Sequence, residues 1–182
     1  MSVQFHFLLC AMLLSMGIVV DSKSNEVESY VYNHRDGILF VLPRTRGVAI
    51  DLRNHMTGEI VTSLVVPTKH DTFNHQMRDV VGSDAEELLL RVKTVSGTGI
   101  SYETLKIFDI SNKGIREIGI FSVKEFESMF EDYRKYTGIV EFPLKDSLTF
   151  SWSQVGVFQG KDLKKKGVDK YKYNGEKYVK EK

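Results

Sequence analysis

Residues 100–110 read ISYETLKIFDI. Tyr102, Thr104, Lys106 and Phe108 alternate with Ser101, Glu103, Leu105 and Ile107, the period of two that marks a strand. The preceding Ser96-Gly97-Thr98-Gly99 is turn chemistry, and Ser111-Asn112-Lys113-Gly114 after it leads into IREIGIF at 115–121. A strand held between two tight turns predicts an antiparallel meander.

The pattern repeats outward in both directions. Residues 37–42 (GILFVL) form an apolar run that stops at Pro43, and 47–52 (GVAIDL) follow. Residues 54–59 (NHMTGE) read as a turn with Gly58 available for positive φ, and 60–66 (IVTSLVV) are the next strand, ended by Pro67. Residues 68–80 are polar and read as irregular. Residues 83–92 (SDAEELLLRV) are ambiguous: Ser83 and Glu86 form a capping box, yet 88–95 also read as a buried strand. Toward the C-terminus, 139–142, 147–152 and 156–158 are strand-like. Residues 168–181 predict a hairpin turning at Asn174-Gly175, with Tyr171, Tyr173 and Tyr178 against the domain and the lysines solvated.

One helix is expected, within 122–136. Ser122 and Glu125 make a capping box, and Phe126, Met129, Phe130 and Tyr133 fall at i, i+3, i+4 and i+7. The fold class is therefore mainly β, or α+β: an antiparallel sheet or meander with one short helix near 122–136 and a C-terminal hairpin.

Residues 5–20 (FHFLLCAMLLSMGIVV) are almost wholly apolar and give way at once to DSKSNE. That predicts a secretory signal peptide over 1–22, with cleavage after Ser22 and a single β-rich domain over 23–182. The run is short for a membrane span, so no transmembrane span is expected in the mature chain. Cys10, the only cysteine, would leave with the signal. The exported chain would then hold neither disulfide nor thiolate metal site, and its stability would rest on its core. The expected location is the periplasm or the outside of the cell.

The chain carries 25 Lys+Arg against 24 Asp+Glu, unevenly placed. From Lys161 onward nine lysines face four acids, a surplus of five. Lysines on a solvated edge strand guard against edge-to-edge pairing, which is the reading preferred here. Contact with an anionic surface is the other.

Residues 78–90 (RDVVGSDAEELLL) resemble the loop and strand of FG-GAP (integrin-α-like) repeats, which read roughly D-x-D-G-D-G-x-x-E-L-L. The stretch looks like small exported bacterial proteins with a degenerate repeat of this kind. The resemblance implies an all-β fold and a loop that often binds calcium. Asp79 matches its first ligand position and Glu87 its ninth. Val81 at the third has no side-chain oxygen, Ser83 stands at the fifth, and Asp84 replaces the turn glycine. Calcium takes six to eight oxygens, so no metal or cofactor is expected.

His70-Asp71-Thr72-Phe73-Asn74-His75 gathers two imidazoles and a carboxylate near Asp79, without diagnostic metal spacing. His34 and His55 stand beside turns and read as exposed. Glu86-Glu87 and Glu131-Asp132 are adjacent acids, whose side chains diverge on any regular element. Trp152 alternates with Phe150 and Leu148 on a core face. No catalytic, cofactor or metal residue is nominated. The expected role is a non-enzymatic exported domain, binding or structural, whose partner is a protein or cell-envelope polymer and not nucleic acid. The alternative is a small secreted hydrolase with a dispersed site around His70 and His75.

Overall fold

The computed structural model describes residues 29–182 except 46, 69–70, 84, 96–98 and 130. The expected signal over 1–22 lies outside the described residues. Among the described residues every regular element is a strand, and within each of two antiparallel sheets every strand lies beside its chain neighbours. The mainly-β expectation holds. They fall into two units, one ending at Pro67 and including Ser111–Ile115, the other comprising Thr68–Ile110 and Arg116–Lys182.

The first unit holds a four-stranded sheet, β1 (Tyr30–His34), β2 (Gly37–Arg44), β3 (Gly47–Arg53) and β4 (Ile60–Pro67). The β3–β4 connection is the predicted turn. Asn54 Oδ1 accepts the amides of Met56 and Thr57 at 2.7 and 3.1 Å, and Gly58 takes φ 72. β3 is buried from Gly47 to Leu52. Its one carboxylate, Asp51, accepts the Ser63 hydroxyl at 2.5 Å, so the buried charge is not left bare. His34 is buried rather than exposed. Its Nδ1 accepts the Asp36 amide at 3.2 Å, and its carbonyl meets His55 Nε2 at 3.1 Å.

The second unit is an eight-stranded meander: β5 (Asp71–Arg78), β6 (Glu87–Val95), β7 (Ile100–Ser111), β8 (Gly114–Met129), β9 (Asp132–Leu144), β10 (Ser147–Phe158), β11 (Lys161–Tyr173) and β12 (Tyr178–Lys180). The β6–β7 turn passes through residues 96–98, outside the described set. The β10–β11 turn is Gln159-Gly160, with φ of 51 and 71, the left-handed pair that suits a two-residue hairpin.

Two expectations need correction. No helix forms over 122–136. Those residues belong to β8 and β9, with Lys124 opposite Thr137, Phe126 opposite Lys135 and Glu127 opposite Arg134. The stripe that looked helical is divided between two strands, and Phe126 and Tyr133 both emerge exposed. Phe130 lies outside the described residues. The Ser122 hydroxyl donates to the Glu125 carboxylate at 2.5 Å, a local pair that caps nothing. Isolated helices this short are marginal in water, whereas β8 is paired along both edges. Residues 71–78, expected to be irregular, form the edge strand β5 against β6.

β6 and β7 are buried on both faces, Leu88, Leu90, Phe108 and Ile110 on one of them, whereas β8–β11 bury a single face. Leu89, Leu105, Ile107, Phe121, Val123, Leu148, Phe150 and Tyr178 are buried together, with Tyr136, Trp152, Tyr171 and Tyr173 packed against them. Phe121 meets Tyr171 edge-on at 5.2 Å and Phe150 at 5.5 Å. The two ends of the meander are tied through Val80. Its carbonyl accepts the Tyr178 hydroxyl at 2.7 Å and the Asp146 amide at 2.9 Å. The C-terminal hairpin is present, with Tyr173 opposite Tyr178 and Tyr171 opposite Lys180. Its loop is four residues long, held by Asn174 Oδ1 accepting the Glu176 and Lys177 amides at 3.0 and 2.9 Å.

Candidate functional site

The loop that resembles a calcium site has its carboxylates committed to protein partners. Asp79 Oδ1 accepts the Gly82 amide at 2.7 Å and Oδ2 meets Lys145 Nζ at 2.6 Å. Glu87 is buried and its Oε2 accepts the Val80 amide at 2.8 Å. Asp84 lies outside the described residues. Among the described residues no cluster of three His, Cys, Asp or Glu is placed to hold a metal ion. Glu86, just before β6, is exposed, while Glu87, its first residue, is buried.

These environments set opposite titrations. The Lys145 ammonium draws the Asp79 carboxyl below its ordinary value, whereas burial raises Glu87 above 4.5. A carboxyl raised in the folded state keeps its proton after the unfolded chain has lost it, so its share of stability falls as pH rises through that interval. The depressed Asp79 works the other way, adding stability that is lost on acidification. Glu87→Gln keeps an acceptor for Val80 and removes the titration. It is expected to be at least as stable as the parent at pH 7 and to lose part of the decline above pH 4.5. Glu87→Ala strands the Val80 amide and opens a cavity, costing about 2–4 kcal/mol. Urea melts of both variants from pH 3 to 8 check this. A Glu87→Gln protein clearly weaker than the parent at pH 7 contradicts it.

The histidine constellation is not assembled among the described residues. His70 and the side chain of Asp71 lie outside them. The ring of His75 packs on Phe73 at 5.7 Å, and burial lowers its basicity. Asp79 is held by Lys145. Asp132 Oδ1 accepts the Gln159 amide at 3.0 Å, stitching two turns together.

Register reveals a different site. On the core-bearing face of the second sheet, side chains fall into rows across β8–β11. Gly138, Trp152 and Gly167 make one row. Beyond it come Glu125, Tyr136, Gln154 and Lys165, then Glu127, Arg134, Gly156 and Leu163. The face thus passes from apolar to polar along the strands. Trp152 stands at the boundary, stacked on Tyr136 at 6.2 Å and 17°. Gly156 leaves the floor between Arg134 and Leu163 without a side chain.

A cavity of about 1120 Å³ opens over the polar end, lined by Glu127, Arg134, Gln154, Phe158, Leu163 and Lys165 among others. Arg134 Nη2 donates to Glu127 Oε2 at 2.7 Å, and the Tyr102 hydroxyl donates to Glu127 Oε1 at 2.7 Å. The carboxylate beside it raises the Tyr102 phenol pKa. Both Glu127 oxygens are therefore occupied. Arg134 Nε is buried and has no hydrogen-bond acceptor among the described residues. Lys165 is exposed and pairs with no carboxylate among them. The lining also holds Glu131 and Asp132, so its charges are mixed: Arg134 and Lys165 offer donors to an oxygen-bearing group, and Phe158 and Leu163 an apolar wall.

The sequence reading missed this site because it draws one residue from each of several strands, at spacings set by register and not by any motif. The one available signal was Glu127 and Arg134 flanking a turn. Comparisons of the chain with family models, with curated proteins and with solved structures gave no match.

Proposed function

We propose that this chain is an exported, non-enzymatic binding domain that holds an amphipathic anion in the cleft at the end of the eight-stranded sheet. The observation that carries the reading is a roomy, partly apolar cavity lined by the half-exposed Arg134 side chain and by Lys165. The size and the mix of apolar wall and few polar groups suit a small-molecule site. Glu127, the cleft's paired carboxylate, accepts from both Arg134 and Tyr102, which supports a positioning role over acid–base work. Export rests on the apolar run at 5–20. Intact mass of the protein from its native host, starting near Lys23, tests it.

Two fluorescent probes test the site. Anilinonaphthalene sulfonate, an apolar anion, is expected to bind the chain over 23–182 at micromolar concentration with enhanced emission. Arg134→Met keeps the apolar stem but removes the donors and the charge. It is expected to weaken that probe at least tenfold while sparing neutral N-phenylnaphthylamine. Phe158→Glu, at an exposed position, is expected to weaken both. Equal binding of the sulfonate by the parent and both variants sinks the proposal.

A further inference from the structure

The opposite face of β8–β11 is solvent-exposed along its length. Along β9 and β11 the outward residues are exposed at nearly every second position. Register places these residues in rows. Phe126, Lys135, Val155 and Lys164 form one. Lys124, Thr137, Ser153 and Lys166 form the next, followed by Ile139, Ser151 and Val168, then Glu141, Thr149 and Lys170. Five lysines thus share a sheet face with two carboxylates, Glu141 at one end of the rows and Asp162, opposite Val157, at the other. None of the five pairs with a carboxylate among the described residues, whereas Lys172, farther along β11, reaches Asp146 at 4.0 Å.

We infer that this face binds a linear anionic polysaccharide. Edge protection accounts for lysines on β11, whose outer edge is open from Lys161 until β12 begins to pair near Lys170. It does not account for Lys124 and Lys135, which sit on β8 and β9, paired on both sides. The charges therefore belong to the face rather than to the edge. Lysine supplies mobile point charges instead of a rigid fork, which suits a polymer with no fixed register. Thr137, Ser151, Ser153 and Thr149 lie between the lysines as donors and acceptors for sugar hydroxyls. Ile139 and Val168, both more than half exposed, lie flush among longer side chains. There they can meet the C–H face of a sugar ring, but they are recessed for insertion into a bilayer. Neighbouring strands lie about 4.8 Å apart and outward residues of one strand about 7 Å apart, so the lysines form a broad plane suited to an extended chain.

The test uses heparin as the probe, with the chain over 23–182. Binding is expected at 150 mM salt and to weaken steeply as salt rises. Lys135→Gln/Lys164→Gln/Lys166→Gln is expected to bind at least tenfold more weakly, with an unchanged melting temperature. Lys113→Gln/Lys177→Gln/Lys182→Gln carries the same net charge but leaves the face intact, and is expected to bind as the parent does. Three results overturn the inference: no heparin binding by the parent at 150 mM salt, equal weakening in both triple variants, or tighter binding to phosphatidylglycerol vesicles or duplex DNA than to heparin. The cleft variant Arg134→Met should leave heparin binding unaltered, which keeps this test separate from that of the cleft.

Discussion

A chain ending at residue 167 is expected not to fold its eight-stranded unit: it should aggregate on expression or lack a cooperative melting transition. The segment removed carries Tyr178, buried in the core on the inner face, and Tyr171 and Tyr173, half-buried against it. Removing one buried aromatic ring costs about 3–5 kcal/mol, and a domain's whole stability is about 5–15 kcal/mol. Losing Tyr178 together with two half-buried rings packed beside it removes a large part of that range. The truncation also removes the Tyr178 hydroxyl from the Val80 carbonyl, the bond that ties the last strand to the loop after the first. Graded variants separate the contributions. Tyr178→Phe loses only the hydrogen bond, and Asp146 still satisfies Val80, so it is expected to cost about 1 kcal/mol. Tyr178→Leu should cost more, through lost packing against Phe142 and Tyr173. A truncated chain that melts cooperatively at the parent temperature would show that the hairpin is an appendage and not part of the core.

Much of this fold is legible in the sequence where turn chemistry and strand period agree. Gly47–Arg53 and Ile60–Pro67 are bounded by a proline and an Asn-to-Gly turn, and both form where expected. The C-terminal hairpin was legible for the same reason, although Asn174 closes a four-residue loop and not a two-residue one. Two kinds of information were not local. β5 (DTFNHQMR) has little β-branched or apolar content and owes its conformation to the edge of β6. The stripe of Phe126 and Tyr133 fits a helix by spacing, and only pairing with β7 and with its own continuation makes it strand. Tertiary context overrides propensity there. The cleft and the lysine face were hidden for a related reason. Lys135 and Lys164 are 29 residues apart in the chain yet share one row across Val155, so neither surface exists until register is known.

Gly138→Val is expected to cost about 3 kcal/mol or more and to disturb the surroundings of the single tryptophan. Gly138 lies on β9 directly opposite Trp152. A Cβ there would come within 2.5 Å of the Phe150 ring and 2.7 Å of the Ser122 carbonyl oxygen. A ring can turn, but a backbone oxygen in a paired strand cannot withdraw without loosening β8. Overpacking costs about 1–3 kcal/mol where side chains alone must move, and the backbone contact places this site at or above the top of that range. About 2–4 °C are lost per kcal/mol in a chain of this size, so the melting temperature should fall by roughly 6–12 °C. Gly167 supports the indole from β11 in the same way, its would-be Cβ lying 2.7 Å from the Trp152 ring. Gly138 thus seats the Phe150 ring and Gly167 the Trp152 ring, two residues farther along β10, where the indole stacks on Tyr136 at the border of the cleft. Gly138→Val should therefore shift Trp152 emission and weaken the sulfonate probe together with stability. Phe150→Leu in the same chain relieves only the side-chain clash, so recovery is expected to be partial. Full recovery would place the whole cost on the ring, and an unchanged melting temperature in Gly138→Val would mean that the space beside Gly138 is not closed.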